Sequence, residues 1–79
     1  MQITTAQTPV TPPLVPVALT RRESEVLVEL ARGRSYQAMA RALFVSENTV
    51  KTHVTSVYRK LGVFRRIDAI SVARQHQLL

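Results

Sequence analysis

Residues 46–62, SENTVKTHVTSVYRKLG, admit few structures. From Thr49 to Val57, six of nine residues are β-branched. Such residues lose side-chain freedom in a helix and are usually at home in strands. The valines, however, do not alternate. Val50, Val54, Val57 and Leu61 step by four, three and four, the spacing of one helical face. At about 100° per residue, Val54, Val57 and Leu61 fall within roughly 40° of Val50. Asn48, Thr52, Thr55 and Arg59 fall within about 40° of the opposite pole, with Lys51 on the flank. The periodicity therefore predicts a helix over 47–61, capped by Ser46 and stopped by Gly62.

Three further segments carry the same period. In LTRRESEVLVELARG, Thr20 followed by Glu23 reads as a capping box. Val26, Leu27, Leu30 and Ala31 form a stripe, and Gly33 ends a helix over about 21–32. In SYQAMARALF, Ser35 caps a short helix over 36–43 with Tyr36, Met39, Ala40 and Leu43 on one face. Ser46 recaps the chain within three residues of Leu43, so the second and third helices form a helix-turn-helix. A fourth helix, 66–76, turns Ala69, Ile70 and Ala73 to one side, with Val72 and Leu78 nearby. Its first turn holds Asp68, which suits the positive end of the helix dipole. Arg65 stands there in place of the usual Ser or Asn cap. The expected fold is all-α, a compact four-helix domain over residues 19–79.

Residues 1–18 hold all four prolines and no charged residue, the composition of an extended tail or linker. Their apolar content is too short and interrupted to span a membrane or to direct secretion. All eleven Lys and Arg and all five Asp and Glu lie in 19–79, so the net charge of +6 sits on the folded part. So basic a small surface points to a polyanionic partner. There are no cysteines, and the two histidines lie 23 residues apart without a carboxylate cluster. Metal binding is not expected, nor is any cofactor. No phosphate-cradling glycine loop or nucleophile–base arrangement is present, so the chain is not read as an enzyme.

The outward face of 47–61 is unusual for a merely solvated helix, which gains from Glu and Lys at i, i+4. It offers Asn, Lys, Thr and Arg, with Glu47 its only acid. Such a surface fits the major groove of double-stranded DNA. Lys can donate to guanine, Asn can serve adenine or a phosphate, and a Thr methyl can touch the methyl of thymine. Helix N-termini at Ser35 and Ser46 add amides suited to phosphates.

The stretches LTRRESEVLVELARGRS, AMARALFVSENTVKTHV and YRKLGV together resemble the C-terminal DNA-binding domain of LuxR-type (NarL/FixJ-type) bacterial transcription regulators, over essentially all of residues 19–79. The resemblance implies that the third helix enters the major groove and that the fourth mediates dimerisation. It places Lys51, Thr52 and Thr55 at base-reading positions, and Ser35, Tyr36, Thr49 and Lys60 at or near phosphates. Ser46, Asn48 and Arg59 complete the candidate backbone contacts. Glu23 and Arg66 match family positions and are expected to form an internal ion pair. Tyr36 stands where the family commonly has Asn, and packing competes there with phosphate contact. Met39 replaces the usual Ile, and Gln77 stands where Gly often precedes the final apolar pair. His53, beside the core stripe, is expected to pack.

The implied function is sequence-specific DNA binding in bacterial transcription regulation, as a dimer on paired half-sites in the cytoplasm, nucleoid-associated when bound. The expected mechanism is recruitment or obstruction at a promoter, and recruitment would add RNA polymerase as a partner. The competing reading is a basic helical interaction module that docks an acidic protein. In the family, a receiver or sensor domain usually precedes this one; here the Pro-rich segment does.

Overall fold

The computed structural model describes residues 17–79, and within them the chain forms four helices: α1 (Arg21–Ala31), α2 (Tyr36–Leu43), α3 (Glu47–Leu61) and α4 (Arg66–Gln75). The β-branched run is helical throughout, and no strand occurs among the described residues. Val50, Val54, Val57 and Leu61 are buried as one ridge of α3. They meet Val26, Leu27 and Leu30 of α1, Met39 and Ala40 of α2, and Ala69, Val72 and Ala73 of α4. α3 packs most extensively against α1 and α2. In so small a domain the core is a single cluster, and α3 enters it only through this ridge, which sets the rotation of α3 about its own axis.

The helix ends follow from local chemistry. Thr20 accepts from the amide of Glu23 at 3.1 Å, and the Glu23 carboxylate accepts from the amide of Thr20 at 2.9 Å, completing the capping box. α1 stops at Ala31, one residue earlier than the sequence predicts; Arg32 is the cap and Gly33 turns left-handed at φ 76°. α2 ends with a residue the sequence does not single out. Phe44 takes the left-handed conformation at φ 59°, and the amide of Val45 reaches back to the Ala40 carbonyl at 3.0 Å. A side chain there costs about 1 kcal/mol or more relative to Gly, and the Phe44 ring is 93% exposed. α4 ends at Gln75, a residue short of the expected 76. Gln77, at φ 56°, takes the conformation that Gly would adopt without cost. Arg65 makes no capping hydrogen bond, but its guanidinium pairs with Asp68 at 3.1 Å.

The expected Glu23–Arg66 ion pair is not formed. Glu23 instead accepts from Lys60 at 2.7 Å and from the Ser56 hydroxyl, both on α3. Arg66 donates to the carbonyls of Leu30 (3.4 Å) and Arg34 (2.9 Å) and so closes the C-terminus of α1 from α4. Both residues are internal ties, with different partners. Residues 1–16 of the Pro-rich segment lie outside the described residues. Val17, which the sequence assigns to the tail, packs against the core, and the carbonyl of Ala18 accepts from Lys60 at 3.0 Å.

Burial opposes the charge on Glu23, but the hydrogen bonds from Lys60, Ser56 and Thr20 outweigh it and hold the pKa down at about 2, against an ordinary 4.5. Because the folded value is the lower one, the unfolded chain takes up the proton first as pH falls. The stabilisation is therefore complete above about pH 5 and disappears toward pH 2, with a magnitude of about 3 kcal/mol. Thermal melts of Glu23→Gln between pH 5 and 2.5 should show a weaker loss of stability with acid than the parent chain, starting from a lower value at pH 7. Parallel acid limbs for the two proteins would refute the assignment.

Candidate nucleic-acid interface

With the valine ridge inward, the opposite side of α3 carries Lys51, Thr52, Thr55 and Arg59, all exposed. With Ser56 they line a shallow groove of about 390 Å³. The three residues expected to read bases thus share one surface. Their chemistry is not uniform. The Thr52 hydroxyl donates to the Asn48 carbonyl one turn earlier, at 3.0 Å. Arg59 rests against the Ser56 hydroxyl at 3.3 Å.

The helix N-termini are capped as the sequence implies. Ser35 accepts from the amide of Ala38 at 3.1 Å, and Ser46 from the amide of Thr49 at 3.0 Å. The Ser46 hydroxyl also donates to the Thr49 hydroxyl at 3.0 Å. Its one proton is then engaged, whereas the proton of Thr49 remains available to an acceptor such as a phosphate oxygen. Asn48 is exposed in the first turn of α3. Tyr36 is half-buried and packs on the core beside Tyr58. Burial and the neighbouring Tyr36 raise the Tyr58 hydroxyl above its ordinary 10.0, with Arg66 pulling the other way. His53 is half-buried.

Lys60 is placed differently from the other candidates. Its ammonium bridges the Glu23 carboxylate and the Ala18 carbonyl, so it is engaged as an internal tie. The resemblance that places it near phosphates does not reveal a buried acid 37 positions away.

Charge is partitioned by the fold. Four of the five acids are in ion pairs: Glu23 with Lys60, Glu25 with Arg21 and Arg22, Glu29 with Arg32 and Arg34, and Asp68 with Arg65. The fifth, Glu47, sits one turn before Lys51 without pairing to it. Lys51 and Arg59 on α3 are left without a carboxylate partner, as are Arg41 on α2 and Arg74 on α4. Arg41 is not among the residues that the sequence singles out. Its signal is the lack of any acid three or four positions away, which Lys51 alone among these four does not share.

A short helix recapped into a longer one that offers a basic, hydroxyl-bearing face is the architecture of helix-turn-helix DNA-binding domains. Residues 17–73 match the family described as bacterial regulatory proteins, luxR family, and the chain belongs to that family. The family consists of DNA-binding transcription regulators and not of enzymes. Among similar proteins is the uncharacterized transcriptional regulatory protein YhcZ of Bacillus subtilis (strain 168), 50% identical over 60 residues, or 76% of this chain and 28% of YhcZ. The probable transcriptional regulatory protein NarL of Mycobacterium tuberculosis (strain H37Rv) is 48% identical over 67 residues, or 85% of this chain and 31% of NarL. The crystal structure of the response regulator ChrA, from a heme-sensing two-component system, superposes with a TM-score of 0.76 at 50% identity, over 78% of this chain and 31% of ChrA. The chain thus spans about 30% of the length of these relatives. Among the described residues no helix is long and apolar enough to cross a membrane, and no group of residues could hold a metal ion.

The two lysines of α3 should separate in a stability measurement. Lys51→Ala removes an exposed side chain and should change unfolding free energy by less than about 0.5 kcal/mol. Lys60→Ala leaves the Glu23 carboxylate buried without its cation and should cost about 3 kcal/mol. Urea unfolding of both variants checks this, and equal effects would refute the division of roles.

Proposed function

We propose that this domain binds double-stranded DNA sequence-specifically and regulates bacterial transcription, with α3 in the major groove. One observation supports the reading most: the fold pairs its acids elsewhere and leaves the outer face of α3 cationic, hydroxyl-rich and free of carboxylates in its middle. Lys51, Thr52 and Thr55 face base edges. Thr49, Asn48, Arg59 and the N-termini of α2 and α3 at Ser35 and Ser46 hold phosphates, and Tyr36 serves mainly to pack α2 onto α3. The protein acts in the cytoplasm, on the nucleoid when bound, and RNA polymerase is the partner at a promoter.

The working unit is a dimer joined through α4. In support, Ile67 is 67% exposed and Ile70 half-buried, and Ser71 and Arg74 continue the exposed side. Paired modules of this kind read half-sites about one helical turn apart.

Titration of a selected duplex at increasing salt should show log affinity falling linearly with log salt, by about 0.9 for each phosphate neutralised. A flat response, with tight binding to an acidic protein, would favour the interaction-module reading instead. Lys51→Ala should weaken binding to the selected site by about 1–3 kcal/mol, and an unchanged preference over scrambled duplex would remove Lys51 from base reading. Ile67→Asp should abolish cooperative occupancy of paired half-sites while leaving single half-site affinity within about two-fold; retained cooperativity would move the dimer contact away from α4.

A further inference from the structure

The two groove-facing threonines are not equivalent, and the difference specifies a ligand. A threonine hydroxyl has one proton. That of Thr52 is donated to the Asn48 carbonyl at 3.0 Å, the i−4 back-bond by which a helical Ser or Thr turns its oxygen against its own backbone. While that bond is kept, Thr52 does not donate to guanine N7 or O6 or to thymine O4, the acceptors of the major groove. What it still offers is the γ-methyl, and lone pairs on an oxygen turned toward its own backbone. The side chain is exposed and lines the groove together with Lys51 and Thr55, so a methyl left free by the back-bond is open to whatever enters.

We propose that Thr52 reads the 5-methyl group of a pyrimidine, and that thymine is required at one position of each half-site for its methyl and not for its hydrogen-bonding edge. The proposal rests on the DNA-binding reading above. It also extends beyond thymine: a cytosine at that position would be read better when methylated at carbon 5, because the group Thr52 meets is then the same. The back-bond fixes the side chain, so the contact forms without loss of rotamer freedom on binding.

The test begins with the 79-residue chain and duplexes selected from a random pool. In the preferred duplex, each thymine is replaced singly by deoxyuridine, which lacks only the methyl. One replacement per half-site should weaken binding roughly three- to ten-fold, the effect of withdrawing one buried methyl. Thr52→Val keeps the methyl groups and removes the hydroxyl, and should retain both affinity and the uracil penalty. Thr52→Ser keeps the hydroxyl and removes the methyl, and should reduce the penalty to less than about two-fold. At the same position, 5-methylcytosine should bind more tightly than cytosine by a similar factor.

Loss of binding in Thr52→Val with tolerance of Thr52→Ser would show that the hydroxyl is the reader and overturn the proposal. Tight selective binding with no uracil-sensitive position would overturn it while leaving the DNA-binding reading intact. Failure to enrich any duplex would overturn both. Thr52 is a surface residue, and circular dichroism of each variant confirms that the helices are intact.

Discussion

The structure depends on one helix being held at a fixed rotation. α3 contributes a ridge of three valines and a leucine to the core, and the three remaining helices close over that ridge with Leu27, Leu30, Met39 and Val72 among their buried side chains. Branched side chains have few rotamers in a helix, so the ridge resists rolling in a way that a row of methionines would not. Sidedness is then rigidly coupled: whatever lies opposite the valines is presented at a defined angle. The Glu23 carboxylate adds a second restraint near the far end of α3, where Lys60 and Ser56 bind it from consecutive turns while Thr20 holds it to the start of α1.

The same restraint explains how so basic a chain directs its charge. Eleven cations against five acids would spread a diffuse positive field if every side chain were solvated. The acids sit mainly on α1 and at the start of α4, and their ion pairs draw six of the cations to those places. Exposed pairs of this type add little stability individually. Their effect here is to place charge, leaving Lys51 and Arg59 uncompensated beside the groove. A polyanion approaching from that side meets no carboxylate in the middle of the face, the unpaired Glu47 lying at its N-terminal turn.

Most of this was legible in the sequence because helical period, caps and glycines are local. The strand-like composition of 49–57 gave way to its spacing, and α2 and α3 have the limits that Ser35, Ser46 and Gly62 imply. The departures concern choices made across the fold. Glu23 had two cations within reach of the right helices, and nothing local distinguished Lys60 from Arg66. The buried carboxylate lies where the end of α3 passes the start of α1, while Arg66 binds the carbonyls of Leu30 and Arg34 in and just beyond the last turn of α1. Phe44 and Gln77 take left-handed conformations that sequence reading reserves for Gly or Asn. In each case the next residue, Val45 or Leu78, packs against the core. That packing compels the turn whichever side chain occupies it. Nor could the pattern separate Thr52 from Thr55, since a back-bond to a carbonyl leaves no mark on composition.

Placing threonines on the groove side has a cost that solvated helices avoid. Thr is among the weaker helix formers, by some tenths of a kcal/mol per residue relative to Lys or Glu, and back-bonding loosens the helix slightly further. α3 tolerates both because its stability comes from the ridge and not from propensity. In return the helix gains short, stiff side chains whose methyl and hydroxyl positions are set by the backbone. A lysine finds an acceptor by searching with four rotatable bonds and gives a forgiving contact. A threonine reaches only what the backbone brings to it, and a displacement of about an ångström would remove the contact altogether. Discrimination by such a face therefore depends on how firmly the other side is held. Weakening the core ridge or the Glu23 tie should blur base selection before it abolishes binding, because Lys51 and Arg59 keep their attraction to phosphates when the threonines have lost their register.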